Sequence, residues 1–491
     1  MGLRRIWRRV RTLAERPHNL LAISDLHLGC DLRPGIRLDR PRPTDAPLSS
    51  FLDWYATHRA GQQPWRLILN GDIVDFVAIT AVPRPGEPVP FQVSKEEREL
   101  GLAPTEAKCV WKLQRTAERH PAVFDALARF VHKGNSVHII RGNHDSEWRW
   151  PAVQEELRRI LAVRFGTAPR KVEQRVQFHD WFYLEPGFFY AEHGHAHDHY
   201  SVQTDFFQAH RGEGEIELPL SSKVLRYFVN RYTEQVEVAD DVAAWGVKEY
   251  LDWVLKAGNP LRVAADYFVM VFRVIYPVVR QSLKISRAFA RAADKAIARQ
   301  VDASAHVREL LARFQGTEKQ AQQLAEIASR PAEQSLFDSM QLFYLDRMLL
   351  ALLCLATAWM ASGAAHGWWA KGAALTGVGI LFAALNALLA GKRRTDAHPM
   401  LQAAARRVAQ VFDVRYIVMG HSHRAVDQPV GNGARYFNLG SWTGQRSGDG
   451  FPHVVVTSGT AELRRWKGPS PLQLPEAAAA NDSPAGVPVP A

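Results

Sequence analysis

The sequence predicts an α/β fold whose single α/β domain is interrupted by a long helical insertion, and two observations carry that expectation. From Asn19 to about Tyr200, short apolar runs (Leu20-Leu21-Ala22-Ile23, Leu67-Ile68-Leu69, Val137-His138-Ile139-Ile140) alternate with stretches of helical spacing near 48–59, 105–119 and 121–132. Runs this short, between amphipathic stretches, read as buried strands, and strand–helix alternation is the pattern of an α/β layer structure. After Tyr200 the chain becomes rich in Ala, Leu and Arg with few strand signals until Tyr416-Ile417-Val418-Met419, Arg435-Tyr436-Phe437 and His453 to Thr457. The simplest organisation is one α/β domain in two pieces, 19–200 and 413–467, around a helical insertion at 201–412. Ala81 to Pro90, with four prolines and one glycine, is a loop. A basic segment at 1–18 precedes the domain, and the Pro/Ala-rich stretch 468–491 reads as a disordered tail with no core-forming pattern.

The 491 residues are 47% apolar and 23% charged, a globular composition with material for more than one core. A net charge of +11 biases the surface toward anions: phosphorylated substrates, nucleic acid or anionic lipid. Cys30, Cys109 and Cys354 form neither a disulfide framework nor a metal-type pair, which suits a reducing compartment. Arg4, Arg5, Arg8, Arg9 and Arg11 surround Trp7, but no apolar run of secretory length follows, so secretion is not expected. These arginines fit either acidic headgroups or plain solvation.

Five short motifs each follow a strand-like run, the place where α/β folds expose functional side chains. Ser24-Asp25-Leu26-His27-Leu28-Gly29 comes first, and in extended backbone Asp25 and His27 would point the same way. Asn70-Gly71-Asp72-Ile73-Val74-Asp75 follows, with Gly71 allowing close backbone approach to whatever Asp72 binds. Arg141-Gly142-Asn143-His144-Asp145, Glu192-His193-Gly194-His195 and Gly420-His421-Ser422-His423 complete the set. The i, i+2 spacing of His421 and His423 again predicts two imidazoles aimed alike. Singly these are weak signals, since a lone Gly-Asp is more often a turn. Together they describe a metal site of carboxylate, imidazole and amide oxygen, a donor set suited to Mn, Fe or Zn.

In order and content the five motifs resemble the signature of the calcineurin-like metallophosphoesterase superfamily, over about 19–200 and 413–467. The resemblance implies two packed sheets flanked by helices and two divalent metal ions, Mn first, with Fe or Zn as alternatives. It assigns Asp25, His27 and His423 to one ion and Asn143, His193 and His421 to the other, with Asp72 bridging. Two ions roughly 3.5–4 Å apart can share a hydroxide and stabilise attacking and leaving oxygens at phosphorus. His144 would be the acid that helps the leaving oxygen depart, oriented by Asp75. Arg141 and Arg424 flank the ligands and fit either phosphate oxygens or surface salt bridges. One histidine is wanted from the fourth motif. His193 fits because it ends the strand-like run Phe188 to Ala191, and His195 is the alternative. His179 and Asp180 read as a structural pair on a strand.

Met348 to Ala370 and Gly372 to Gly391 each meet the roughly 20 residues needed to cross a bilayer, and neither contains a charged residue. Trp368 and Trp369 sit at the break, while Arg347 and Lys392-Arg393-Arg394 place both outer ends on the cytoplasmic side. The competing expectation is an apolar hairpin buried in protein. Lys284, Arg287, Arg291, Lys295 and Arg299 draw a basic stripe, and Asp266, Arg273 and Arg280 share one face of an apolar stretch that could lie in the interface. Ser-Asp-Leu-His-Leu-Gly is similar to the superfamily branch of UDP-diacylglucosamine pyrophosphohydrolases, although that branch carries Arg where His144 stands and lacks an insertion of this length. The expectation is therefore a cytoplasmic-side, membrane-anchored phosphohydrolase acting on a phosphorylated small molecule or lipid. A soluble nucleotide or phosphodiester hydrolase, a nuclease and a non-catalytic interaction module are the alternatives. The nuclease is disfavoured because no basic–aromatic track adjoins the motifs.

Overall fold

A computed structural model describes residues 18–34, 42–204, 206, 214–232, 247–256, 258–286, 307–392, 396–443 and 449–469. The N-terminal arginines, the basic stripe beyond Ser286 and the tail from 470 lie outside the described residues.

Period-2 alternation in the strands builds the layers. In β1 (Asn19–Ile23), Leu21 and Ile23 face the helices while Leu20 and Ala22 face the second sheet. With β2 (Trp65–Asn70), β3 (Ser136–Ile140), β4 (Val176–His179), β10 (Phe451–Thr457) and β11 (Thr460–Trp466) it forms a six-stranded sheet ordered β11-β10-β1-β2-β3-β4. β5 (Phe182–Glu185), β6 (Phe189–Glu192), β7 (Tyr416–Met419), β8 (Ala425–Gly431) and β9 (Ala434–Leu439) form a five-stranded sheet ordered β5-β6-β7-β9-β8. Leu20, Ile68, Phe189, Val418, Phe437 and Val454 fill the space between the sheets. Outside the first sheet, α1 (Asp45–Thr57), α2 (Glu106–Arg119), α3 (Pro121–His132) and α4 (Pro151–Phe165) bury Phe51, Leu113, Phe130 and Leu157.

The two sequence pieces interlock strand by strand. β10 pairs antiparallel with β1, and β7 lies parallel between β6 and β9. The final piece therefore completes both sheets and forms no domain of its own.

The strands not read as apolar runs from the sequence are β4, β5, β8 and β11, and all four are edge strands. β8 contains Pro429, which edge positions tolerate. β4, β8 and β11 carry polar, partly exposed positions and lack the apolar runs by which the central strands are recognised, whereas β5 is a short buried run of Phe182, Tyr183 and Leu184.

The insertion begins on α5 (Leu220–Tyr227) and α6 (Pro260–Ser286), which share a core of Leu220, Phe228, Trp253, Val263, Met270, Val274 and Phe343. α7 (Glu318–Ile327) and α8 (Leu336–Leu342) follow, then α9 (Leu345–Ala364) and α10 (Trp368–Lys392). The turn between the two apolar helices is Ala365-His366-Gly367, so Trp368 and Trp369 open the second helix; the sequence reading had placed the break after them. α11 (Ala397–Phe412) packs Leu401, Ala405 and Val408 on Ile417, Met419 and Tyr436 of the second sheet. It leads into β7, so a helix that the sequence places in the insertion packs on the second sheet. Of the expected charged face on α6, Asp266 accepts from Tyr232 at 2.7 Å and Arg273 pairs with Glu96 at 2.7 Å. Both are spent on protein contacts.

Candidate metal centre and active site

All five motifs emerge from the strand ends β1, β2, β3, β6 and β7 on one edge of the two sheets. Asp25, His27, Asp72, His421 and His423 have φ of 55, 45, 53, 66 and 54°. Left-handed backbone is costly for such residues and collects where surrounding structure enforces it, typically at functional sites. It also corrects the extended-backbone reading: His421 and His423 are not aimed alike but enter two different clusters.

The loops are tied to one another. Asp25 N–H donates to Gly71 O at 3.1 Å, His27 N–H to Asp72 O at 3.0 Å, and Gly420 N–H to His193 O at 2.9 Å. Asn70 Nδ2 donates to Glu192 O at 2.8 Å. Asp145 accepts from Gly142 N–H, Ile73 N–H and Trp148 Nε1–H at 2.6, 2.8 and 2.9 Å, bracing the second loop against the third. At Gly420 a Cβ would lie 2.1 Å from Ser24 Oγ and 2.6 Å from Asp25 Oδ2, so only glycine lets the C-terminal loop reach the first motif.

Three groups of side chains converge with ligand atoms within 4.8 Å of one another: Asp25, His27 and His423; Asp72, His193 and His421; His27, Asp75 and His144. His423 Nε2 lies 3.1 Å from Asp25 Oδ1, and His193 Nε2 lies 3.1 Å from both Asp72 Oδ2 and Asn143 Oδ1. Asp75 Oδ2 holds His27 Nδ1 at 3.0 Å, leaving His27 Nε2 buried without a hydrogen-bond partner among the described residues. A buried nitrogen so oriented fits a cation, and the mixed carboxylate–imidazole donors fit borderline and hard divalent ions.

Charge is balanced tightly. Burial raises the Asp72 carboxyl, but the imidazoles of His193, His144 and His27 outweigh it and hold it well below its ordinary value. His193 shows the converse: burial lowers it, Asp72 and Asp25 raise it, and the result is about 9. Loading a cation at His193 must displace that proton. Apparent metal affinity should therefore climb by about tenfold per pH unit up to about pH 9. Chelator competition between pH 6 and 9 measures this, and a flat profile would contradict it.

His144 stands on the open side, its side chain 20% exposed. Its backbone N–H donates to Asp72 Oδ1 at 2.8 Å, and its Nδ1 lies 3.1 Å from Asp75 Oδ1. Burial raises Asp75, yet His144 and His27 hold it far below the usual carboxylate range, so it stays ionised.

Other expected residues are placed elsewhere. Arg141 is 1% exposed, with its guanidinium on Asp180 O at 2.9 Å, Asp180 Oδ1 at 3.0 Å and Gln203 Oε1 at 2.9 Å, and it is stacked over Phe206. These contacts spend its guanidinium on the scaffold. Arg424 is exposed and pairs with Asp396 at 3.1 Å. His195 is buried behind His193, outside the three groups. His179 ends β4 against His138 at 2.9 Å, while Asp180 serves Arg141, so the two are not a pair. Sequence reasoning missed the roles of Asp145 and Asp198. The first stood in a quoted motif; the second is hidden in the histidine-rich run 193–199.

The two-sheet fold and the clustered ligands define a metal-dependent hydrolase. Residues 18–246 match the family model of the calcineurin-like phosphoesterases, so this part of the chain is a calcineurin-like phosphoesterase domain. Four of the five motifs lie within the match, and β7 with the Gly420 loop supplies the fifth beyond it. No curated protein matches the chain.

Proposed function

We propose that the chain is a dinuclear, membrane-anchored phosphohydrolase that cleaves a phosphate ester or pyrophosphate carried on a lipid. The observation that carries the reaction class is the pair of largely buried ligand groups, Asp25 with His27 and His423 and Asp72 with His193 and His421, with His144 standing at their open edge. Asp25, His27 and His423 would hold one ion and Asn143, His193 and His421 the other. Asp72 would bridge the two: it belongs to the second group, and its carboxylate feels the imidazoles of His27 and His144 as well as that of His193. Two bound divalent ions, Mn first with Fe or Zn as alternatives, would polarise the phosphoryl oxygens and activate water. The chain's own residues do the rest. Ionised Asp75 accepts from His144 Nδ1–H and fixes that tautomer, so Nε2 faces the open side and can hold or deliver the leaving oxygen's proton.

The membrane part is supported by α9 and α10, whose apolar windows are 6% and 0% buried within the protein. Trp359, Trp368 and Trp369 are 79, 91 and 94% exposed, far from the behaviour of a soluble hairpin. α6 adds Leu261, Phe268, Val269, Phe272 and Tyr276, half or more exposed on one stripe. The segment that leads through α8 into these helices is bonded to the loop after the fourth motif: Ser329 N–H donates to Ala196 O at 2.8 Å and Ala332 N–H to His199 O at 2.7 Å. A bilayer holding α9 and α10 would thus lie beside the chemistry, with both outer ends on the catalytic (cytoplasmic) side.

Detergent-free fractionation and paired substrates test this. Full-length protein should sediment with membranes and turn over a vesicle-borne lipid pyrophosphate at least about tenfold faster than a nucleotide with the same head group, as expected where the substrate's apolar part adds binding. Complete recovery in the soluble fraction would remove the anchor. Equal turnover of both substrates would remove the lipid and leave the phosphoesterase.

A further inference from the structure

We propose that Asp198 is a positioning residue for the metal centre, acting through His421; the inference rests on the two-cation reading above. Asp198 Oδ2 lies 3.0 Å from His421 Nε2, and the carboxylate is buried. It stands outside the group of Asp72, His193 and His421, so it is not itself a ligand of that group. With Nε2 donating to Asp198, Nδ1 is the nitrogen His421 turns to a cation.

The first cluster contains the mirror arrangement. There Asp75 Oδ2 holds His27 Nδ1 at 3.0 Å, and Nε2 is the nitrogen left for the ion. Each cluster thus has one imidazole backed by a carboxylate, with opposite ring nitrogens committed. Such a carboxylate fixes tautomer and ring orientation and raises ligand basicity. For His421 this matters more than usual, because its backbone is held at φ 66° and the ring has to reach the site from a left-handed residue.

Asp198 is itself fixed. Tyr200 N–H donates to Oδ1 at 3.0 Å and Ser201 Oγ–H to Oδ2 at 2.9 Å. The loop bearing it is bound on both flanks by the insertion: Ser221 N–H donates to Tyr200 O at 2.9 Å, Ser329 Oγ–H to His197 O at 2.6 Å, and Ala332 N–H to His199 O at 2.7 Å. The insertion therefore has a task besides any membrane contact, since it sets the carboxylate that sets one metal ligand.

Asp198→Asn keeps the shape and removes the charge. The expected result is a fall of about 10–100-fold in the affinity of one ion and little change in the other. Competition of Mn against a chromophoric chelator, with elemental analysis of the dialysed protein, reads both sites, and the content should move from two ions toward one. Ser201→Ala removes one hydrogen bond from Asp198 and should weaken the same ion several-fold, so the test survives if Asp198→Asn does not fold. Unchanged affinities in either folded variant, or equal weakening of both ions, would overturn the positioning role. A wild-type chain that binds at most one ion would instead overturn the dinuclear reading.

Discussion

Asp72→Asn should reduce turnover of bis-p-nitrophenyl phosphate by at least about 10³-fold, because the Lewis-acid contribution at stake is several kcal/mol. The argument is positional. Asp72 is 2% exposed and is held at φ 53° after β2, with a Cβ on Gly142 excluded by only 2.1 Å from its Oδ1. It is the carboxylate that both His193 and the His27–His144 pair act upon. An amide of the same shape still accepts from His144 N–H, so the third loop stays in place while the negative charge is lost. His193 would then lose the carboxylate that does most to raise its pKa, and two cations would be left with the imidazoles, Asn143 and Asp25. Elemental analysis of the purified variant should show fewer than two ions per chain. A variant that retains both ions and turns over within tenfold of wild type would refute the bridging role.

What the sequence revealed and what it concealed divide along a physical line. Candidate ligands at the ends of central strands are legible because a buried strand must be an apolar run, and Asp25, Asp72, Asn143 and His421 each follow one. The convergence of both halves was implied by the same pattern and is realised by β7 between β6 and β9. Backbone conformation was not legible. Period-2 reasoning aimed His421 with His423, whereas left-handed residues at both positions send them to separate clusters. Arg141 looked available because sequence proximity to a ligand says nothing of side-chain direction, and its guanidinium turns back to Asp180 and Gln203. Asp198 was obscured because its partner His421 is distant in sequence, and α11 was assigned to the insertion because helical composition cannot show which sheet a helix covers.

His144→Ala gives the sharper test of chemistry, since its effect should depend on the leaving group. With an alkyl phosphodiester the rate should fall by about 10²–10⁴-fold, the range for loss of a positioned proton donor. With a p-nitrophenolate leaving group, which departs without protonation, the loss should shrink to about tenfold or less. The geometry that supports this is the split service of Asp75: Oδ2 holds His27 toward the ion and Oδ1 holds His144 toward the open side. Because His27, Asp75 and His144 also lie within metal-ligand spacing of one another, a competing role exists for His144 as a ligand. The two roles differ in their outcomes. A ligand's removal would lower metal content and slow both substrates alike, whereas an acid's removal would leave two ions bound and slow only the substrate with the poor leaving group. Asp75→Asn should then combine both defects, weakening one ion through His27 by about 10–100-fold and losing the orientation of His144 as well. If Asp75→Asn proved milder than His144→Ala on the alkyl substrate, the acid could not be relying on Asp75 for its orientation.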